Sequence, residues 1–243
     1  MKKNNLNFSL LRGVFLSILV SVPLWGQPDA GRYLREQDFD VTTMIPAAPA
    51  DDSLTTIADL ETVRMLQARR TPEQVALARY FVQDTVFQYD EVIGVWFTAV
   101  NLPHTAEFFM QIEADRYAIS SQGKRAWNRP RPPLMDSRIH AAVTLPKSGA
   151  YPSGHSTQAF VLAGLLAEVF PEHREALRAR AELIAWSRVI SGVHYPTDIM
   201  AGRMLGDQLV AKFLKVPGVR EGLAEVKSEA TRVSAEAHAD AMP

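Results

Sequence analysis

Apolar residues recur at helical spacing over most of the chain, and no stretch alternates with the period of two that marks a half-buried strand. Val75, Leu77, Ala78, Phe81, Val82, Thr85, Val86 and Tyr89 form one such stripe. It opens at Thr71-Pro72-Glu73-Gln74, a capping box with proline in the first helical position, and predicts one helix from there through Tyr89. A second helix is predicted through Phe108, Phe109, Ile112 and Tyr117 toward Lys124, with Thr105 as its cap. Ser153 is placed to cap a third, which runs through Val169 and stops at Pro171. Residues 172–191 read as a fourth, with Gly192 as its C-terminal stop, and Pro196 opens a fifth that reaches about Leu214. Between the second and third lies a proline-rich loop, Arg129-Pro130-Arg131-Pro132-Pro133.

The two ends depart from this pattern. Lys2, Lys3 and Arg12 precede an apolar run from Val14 to Trp25, which has the length of a secretory signal and is short for a membrane span. Residues 1–26 are therefore expected to be a signal peptide, and the mature chain to be periplasmic or secreted. The apolar stretches 92–100 and 159–167 are too short to cross a bilayer and read as core, so no stable membrane insertion of the mature chain is expected. Residues 27–53 are polar, with prolines and alanines, and are expected to wrap the surface with little regular structure. The tail, 216–243, is charged and Ala-rich; both a helix and a disordered segment are compatible with it.

Composition narrows the chemistry. The 243 residues suffice for one domain with a core, and the 26 basic against 27 acidic residues, with no long basic stretch, argue against a nucleic-acid partner. The absence of cysteine excludes disulfides, thiolate metal sites and a cysteine nucleophile.

Three short segments concentrate reactive side chains. The first, from Lys124 to Pro132, holds Lys124, Arg125, Arg129 and Arg131 without one acid. Such cations suit a phosphate, and equally a solvated basic loop. The second, Tyr151-Pro152-Ser153-Gly154-His155, opens a helix, where exposed N–H groups attract anions. Gly154 permits close approach and His155 lies in the first turn; a merely capped helix with a surface histidine reads the same way. The third places His194 four residues before Asp198, shortly after Ser187-Arg188. A carboxylate there can fix the imidazole tautomer and leave the other ring nitrogen as a nucleophile, although structural His–Asp pairs share the pattern.

Together the three segments resemble the signature of the type 2 phosphatidic acid phosphatase (PAP2) superfamily: Lys, six residues, Arg-Pro; then Pro-Ser-Gly-His; then Ser-Arg, five residues, His, three residues, Asp. Lys124 with Arg131-Pro132, Pro152 to His155, and Ser187-Arg188 with His194 and Asp198 match in order and spacing. Arg129-Pro130 stands too close to Lys124, so the family role falls to Arg131. Size and signal segment resemble the soluble bacterial class A nonspecific acid phosphatases. The resemblance implies an all-α, single-domain helical bundle of the acid phosphatase–vanadium haloperoxidase type over residues 54–215, with the motifs meeting at one end of the core helices. It implies that Lys124, Arg131, Ser153, Gly154 and Arg188 bind phosphate, that His194 attacks phosphorus while held by Asp198, and that His155 moves the leaving-group proton. No metal and no cofactor are implied; the partners are small phosphate monoesters, and a homo-oligomer is compatible. Three other functions share these residues. A vanadium-dependent haloperoxidase is usually much larger, a lipid or diphosphate phosphatase is usually polytopic, and a non-catalytic phosphate-binding module would be expected to lack one of the histidines.

Overall fold

The structure, a computed structural model, describes residues 30–240 other than 84, so the expected signal peptide lies outside the described residues. The described residues form helices and no strand, in agreement with an all-α fold. Two short helices and turns lead in: a 3-10 turn at Glu36–Asp38 and α1 (Val41–Met44). Then come α2 (Leu54–Arg69), α3 (Pro72–Tyr80), a 3-10 turn at Val86–Tyr89, α4 (Asp90–Ile93) and the long α5 (Pro103–Trp127). A loop carrying α6 (Pro132–Met135) leads to α7 (Gly154–Val169). After a 3-10 turn at Pro171–His173 follow α8 (Arg174–Ile190), α9 (Pro196–Phe213) and α10 (Pro217–Asp240).

α7 is the centre of the bundle. It is apolar on nearly every side, as a helix surrounded by others must be, and twelve of its side chains are buried. It packs most extensively on α8 and α9, and also against α5 and α10. Its contact with α9 is close because Gly202 and Gly206 carry no side chain. A Cβ on Gly202 would lie 2.6 Å from the Ser153 carbonyl oxygen, and one on Gly206 2.8 Å from that of Thr157. The starts of the two helices are also bonded directly: the Ser153 N–H donates to the Asp198 carbonyl at 3.0 Å, and Ser156 Oγ to that of Ile199 at 2.7 Å.

Three local expectations are corrected. The helix that opens at Thr71 with its capping box ends at Tyr80 and does not continue to Tyr89. At about 100° per residue, Phe81 and Val86 would stand roughly 140° apart on a continuous helix. Breaking the chain there lets Phe81, Val86 and Tyr89 all enter the core, where Tyr89 Oη donates to the Ala159 carbonyl at 2.7 Å. Thr85 opens the new turn by accepting the Phe87 N–H.

The second correction concerns Thr105, which is not a cap. α5 begins earlier, with Pro103 in its first position, and the carboxylate of Glu229 on α10 accepts the N–H groups of His104 and Thr105 and the Thr105 hydroxyl. A partner from the far end of the chain thus does what a local side chain was expected to do. The third is minor: the segment after Pro171 starts as a 3-10 turn before α8. Its end is as expected, with Gly192 at φ +78°.

The tail takes the helical alternative. α10 buries Val219, Leu223, Val226, Ala230 and Val233. At the other end Asp115, fully buried on α5, accepts the backbone N–H groups of Gly31, Arg32, Tyr33 and Leu34 and so fastens the start of the described chain to the bundle.

Candidate active site

The loop after α5, the starts of α7 and α9, and the end of α8 meet around one cluster of cations and imidazoles. Lys124 stands in the last turn of α5. Its ammonium donates to the carbonyl oxygens of Gly149 and Pro152, each at 3.0 Å. Burial and the neighbouring Arg131 push its pKa down to about 7. Arg131 follows from the proline-rich loop and is 2% exposed. It donates to the carbonyls of Ser148 and Val193 and, through Nη1 at 3.1 Å, to His194 Nε2. Burial lowers even this guanidinium to about 10. Arg188, equally buried at the end of α8, is held by the Ala78 carbonyl at 3.1 Å.

His194 lies just before α9, almost fully buried. Its Nδ1 stands 3.0 Å from Asp198 Oδ2. Arg131 has only donors to offer, so Nε2 accepts and the ring proton sits on Nδ1, facing Asp198. Burial, Arg131, Lys124 and Arg188 all hold the imidazole well below its usual pKa and therefore neutral. Asp198 has no exposed surface; burial pushes its carboxyl up, against the pull of Arg129 and the Tyr195 N–H. The neutral ring thus has one nitrogen tied to a carboxylate and its other lone pair turned toward the cations, which is the arrangement of an activated nitrogen nucleophile.

Ser153 caps α7, accepting the Ser156 N–H. Gly154 turns its bare face toward the cations: a Cβ there would lie 3.7 Å from both Lys124 Cε and Arg116 Nη1. His155, in the same turn, is lowered well below the usual histidine range by burial, Arg188, His194, Arg116 and Lys124, which places it inside the same positive field. The structure therefore gathers all eight residues expected from the sequence motifs. Among the described residues, no group of three or more His, Asp or Glu side chains converges as a metal-ligand set.

Sequence reasoning missed three members of the surroundings. Arg116, buried on α5 eight residues before Lys124, pairs with Glu113 and donates to Ser120 Oγ and the Gly154 carbonyl. Two steps of four along a helix put it on the stripe of Lys124, a signal that could have found it. Arg129 was set aside for its spacing, yet it is buried and bound to Asp198 at 2.7 Å. Asp59, its second partner, is on α2 and left no local trace. One turn beyond His155, Gln158 lines a cavity of about 260 Å³ together with Phe87, Phe109, Met110, Glu113 and Leu162.

An all-α bundle with a buried cluster of cations and imidazoles at the joined ends of its helices is the class this geometry defines. Residues 110–216, from within α5 to just past α9, match the PAP2 superfamily. A non-specific acid phosphatase from Salmonella typhimurium is 30% identical over 146 residues, which are 58% of this chain and 58% of the relative. One from Providencia stuartii is 25% identical over 89% of this chain and 91% of its own length. The match to the Salmonella protein thus spans under two thirds of that relative. In fold, the chain is similar to a bacterial vanadium-dependent iodoperoxidase, with a TM-score of 0.55 over 71% of this chain and 51% of that one, at 18% identity.

Proposed function

We propose that this protein is an exported acid phosphatase that hydrolyses small phosphate monoesters through a phosphohistidine on His194, without a metal ion. The observation that carries the reading is the His194 ring, protonated on Nδ1 against Asp198 and turned by Nε2 into a cluster of Lys124, Arg131 and Arg188. The named relatives support it as acid phosphatases.

In the first step the Nε2 lone pair attacks phosphorus, the bond from phosphorus to the ester oxygen breaks, and His155 gives that oxygen a proton. In the second, His155 takes a proton from water, the water oxygen attacks phosphorus, and the P–N bond breaks to release phosphate and restore the imidazole. Lys124, Arg131 and Arg188, with the Ser153 hydroxyl and the N–H groups at the start of α7, stabilise the charge on the three equatorial oxygens. His155 is held neutral first by its burial and then by the cations around it. A bound phosphoryl group offsets that field, and a monoester monoanion brings the proton with it.

Lys2, Lys3, Arg12 and the apolar run to Trp25 support export, with a mature terminus near residue 27. That terminus would lie shortly before the segment fastened to Asp115.

The test is phosphate release from p-nitrophenyl phosphate by the purified mature protein in excess chelator. Full turnover is expected. Activity abolished by the chelator and restored by a divalent ion contradicts the metal-free mechanism. Iodide oxidation with vanadate and peroxide, in place of phosphate release, would replace it with peroxidase chemistry.

A further inference from the structure

Behind the nucleophile, two buried carboxylates share one guanidinium. Arg129, 2% exposed, lays its plane over the Tyr195 ring, 3.9 Å from the centroid. Its Nη1 donates to Asp198 Oδ1 and to Thr197 Oγ1, both at 2.7 Å. Its Nη2 donates to Asp59 Oδ2 at 3.1 Å and to Thr56 Oγ1 at 3.0 Å. Asp59, on α2, also accepts the Thr197 hydroxyl and, at 3.4 Å, the Thr197 N–H.

We propose that Arg129 and Asp59 are positioning residues: Arg129 holds Asp198 charged and fixed and so anchors the His194 ring by Nδ1, while Asp59 holds Arg129 in place and tempers its charge. The inference rests on the assignment of His194 as nucleophile. Neither residue reaches the phosphoryl group in this reading; both act through Asp198.

The geometry gives the reason. Arg129 occupies Oδ1 of Asp198, which leaves Oδ2 to the His194 Nδ1–H and the Tyr195 N–H, the latter at 2.9 Å. Both carboxylate oxygens are then engaged and the group cannot rotate. Burial alone would protonate this carboxyl, and Arg129 is the cation in contact that opposes it. A protonated Asp198 no longer accepts the Nδ1 proton as a charged partner, so the ring loses its strong anchor at Nδ1 and is held only by Arg131 at Nε2. Asp59 acts in the opposite sense. It draws on the same guanidinium and brings the group Asp59, Arg129 and Asp198 to a net single negative charge, which suits the positive charge that develops on the imidazole during transfer. The other charged groups that face Asp198 and His194 are Lys124 from α5, Arg188 from α8 and Arg131 from the loop, and His155 from α7 is the remaining titratable one. The phenols of Tyr151 and Tyr195 stay protonated, raised by burial.

Two variants move the same titration in opposite directions. Arg129→Gln removes the positive charge, so Asp198 holds its proton to higher pH and the acidic limb of kcat moves up. Asp59→Asn frees Arg129 for Asp198 alone, so that limb moves down. Arg129→Gln is expected to lose about 10–100-fold in kcat, as outer-shell partners of a functional histidine commonly do, with KM little changed. ¹H–¹⁵N NMR of the His194 ring in the full mature chain, assigned against His194→Ala, reads the Nδ1 proton without any turnover. That proton is expected far downfield, bonded to a charged carboxylate, in the wild type and in Asp59→Asn, and to move upfield in Arg129→Gln. Limbs that move the same way, or a folded Arg129→Gln protein that keeps the wild-type Nδ1 proton shift, overturn the proposal. If Arg129→Gln does not fold, Asp59→Asn decides: a limb that stays or rises overturns it. An Nδ1 proton that shifts as expected in a protein that never releases phosphate overturns the function and leaves the positioning pair standing.

Discussion

Lys124 is the residue whose chemistry most depends on its surroundings. An ordinary lysine titrates near 10.4, but here burial and Arg131 bring it down to about 7. A lysine binds phosphate only while charged, so in the proposed mechanism this contact is present below pH 7 and fades as the pH rises through it. The basic limb of kcat/KM reports groups of the free protein. After correction for the substrate's own ionisation it is expected near pH 7. Lys124→Arg keeps its charge through that range, so its basic limb should move to higher pH even if kcat falls. A limb that stays in place assigns the titration to another group. At this scale the sequence was readable because the motif residues stand in short runs of fixed type and spacing. Arg129 and Asp59 escaped because a buried ion pair between residues 70 apart has no local pattern.

Between elements, what positions the site is the close approach of α7 and α9. A methyl on Gly202 would meet Ser153 O at 2.6 Å and Ser156 Cβ at 2.8 Å, at the turn that carries Ser153, Gly154 and His155. Gly202→Ala is expected to cost about 1–3 kcal/mol of stability by overpacking and also to lower kcat, because Asp198 is pushed away from the start of α7. Gly206→Ala, one turn further on, has comparable contacts at 2.8 and 2.9 Å and should cost similar stability with a smaller effect on rate. Urea unfolding together with initial rates checks both; equal rate losses in the two variants would mean general loosening. Helices with strong local signals, such as the capped α7 and the proline-led α9, were legible. The break after Tyr80 was not, since the stripe of apolar residues continues across it and only the bundle decides that Phe81 and Val86 both turn inward. The start of α5 was misplaced for a similar reason, as its cap is Glu229, supplied more than 100 residues later.

For the molecule as a whole, the bundle brings Lys124, Arg131, Arg188 and Arg116 together around two neutral histidines. Net charge over the chain is only −1, so this is a focused local field in a nearly neutral protein. On the proposed in-line transfer to His194, a trigonal-bipyramidal oxyanion resembles the transition state more than phosphate does. Vanadate should therefore inhibit competitively and more tightly than phosphate, as measured by Ki on p-nitrophenyl phosphate; vanadate that binds no better than phosphate would place the transition-state contacts elsewhere. The fold class was legible from the absence of any alternating strand pattern. The tail was not: α10 buries one valine-rich stripe, but its charged, Ala-rich composition alone leaves helix and disorder equally open. Covalent transfer to His194 is the central step of the proposed mechanism. The most direct measurement is alkaline quenching of the mature protein during turnover of a ³²P-labelled monoester, followed by peptide mapping. An acid-labile, alkali-stable label on the peptide that contains His194, absent from a folded His194→Ala protein that has also lost turnover, is the predicted result. A folded His194→Ala protein that turns over at the wild-type rate, or a label on another residue, would contradict it.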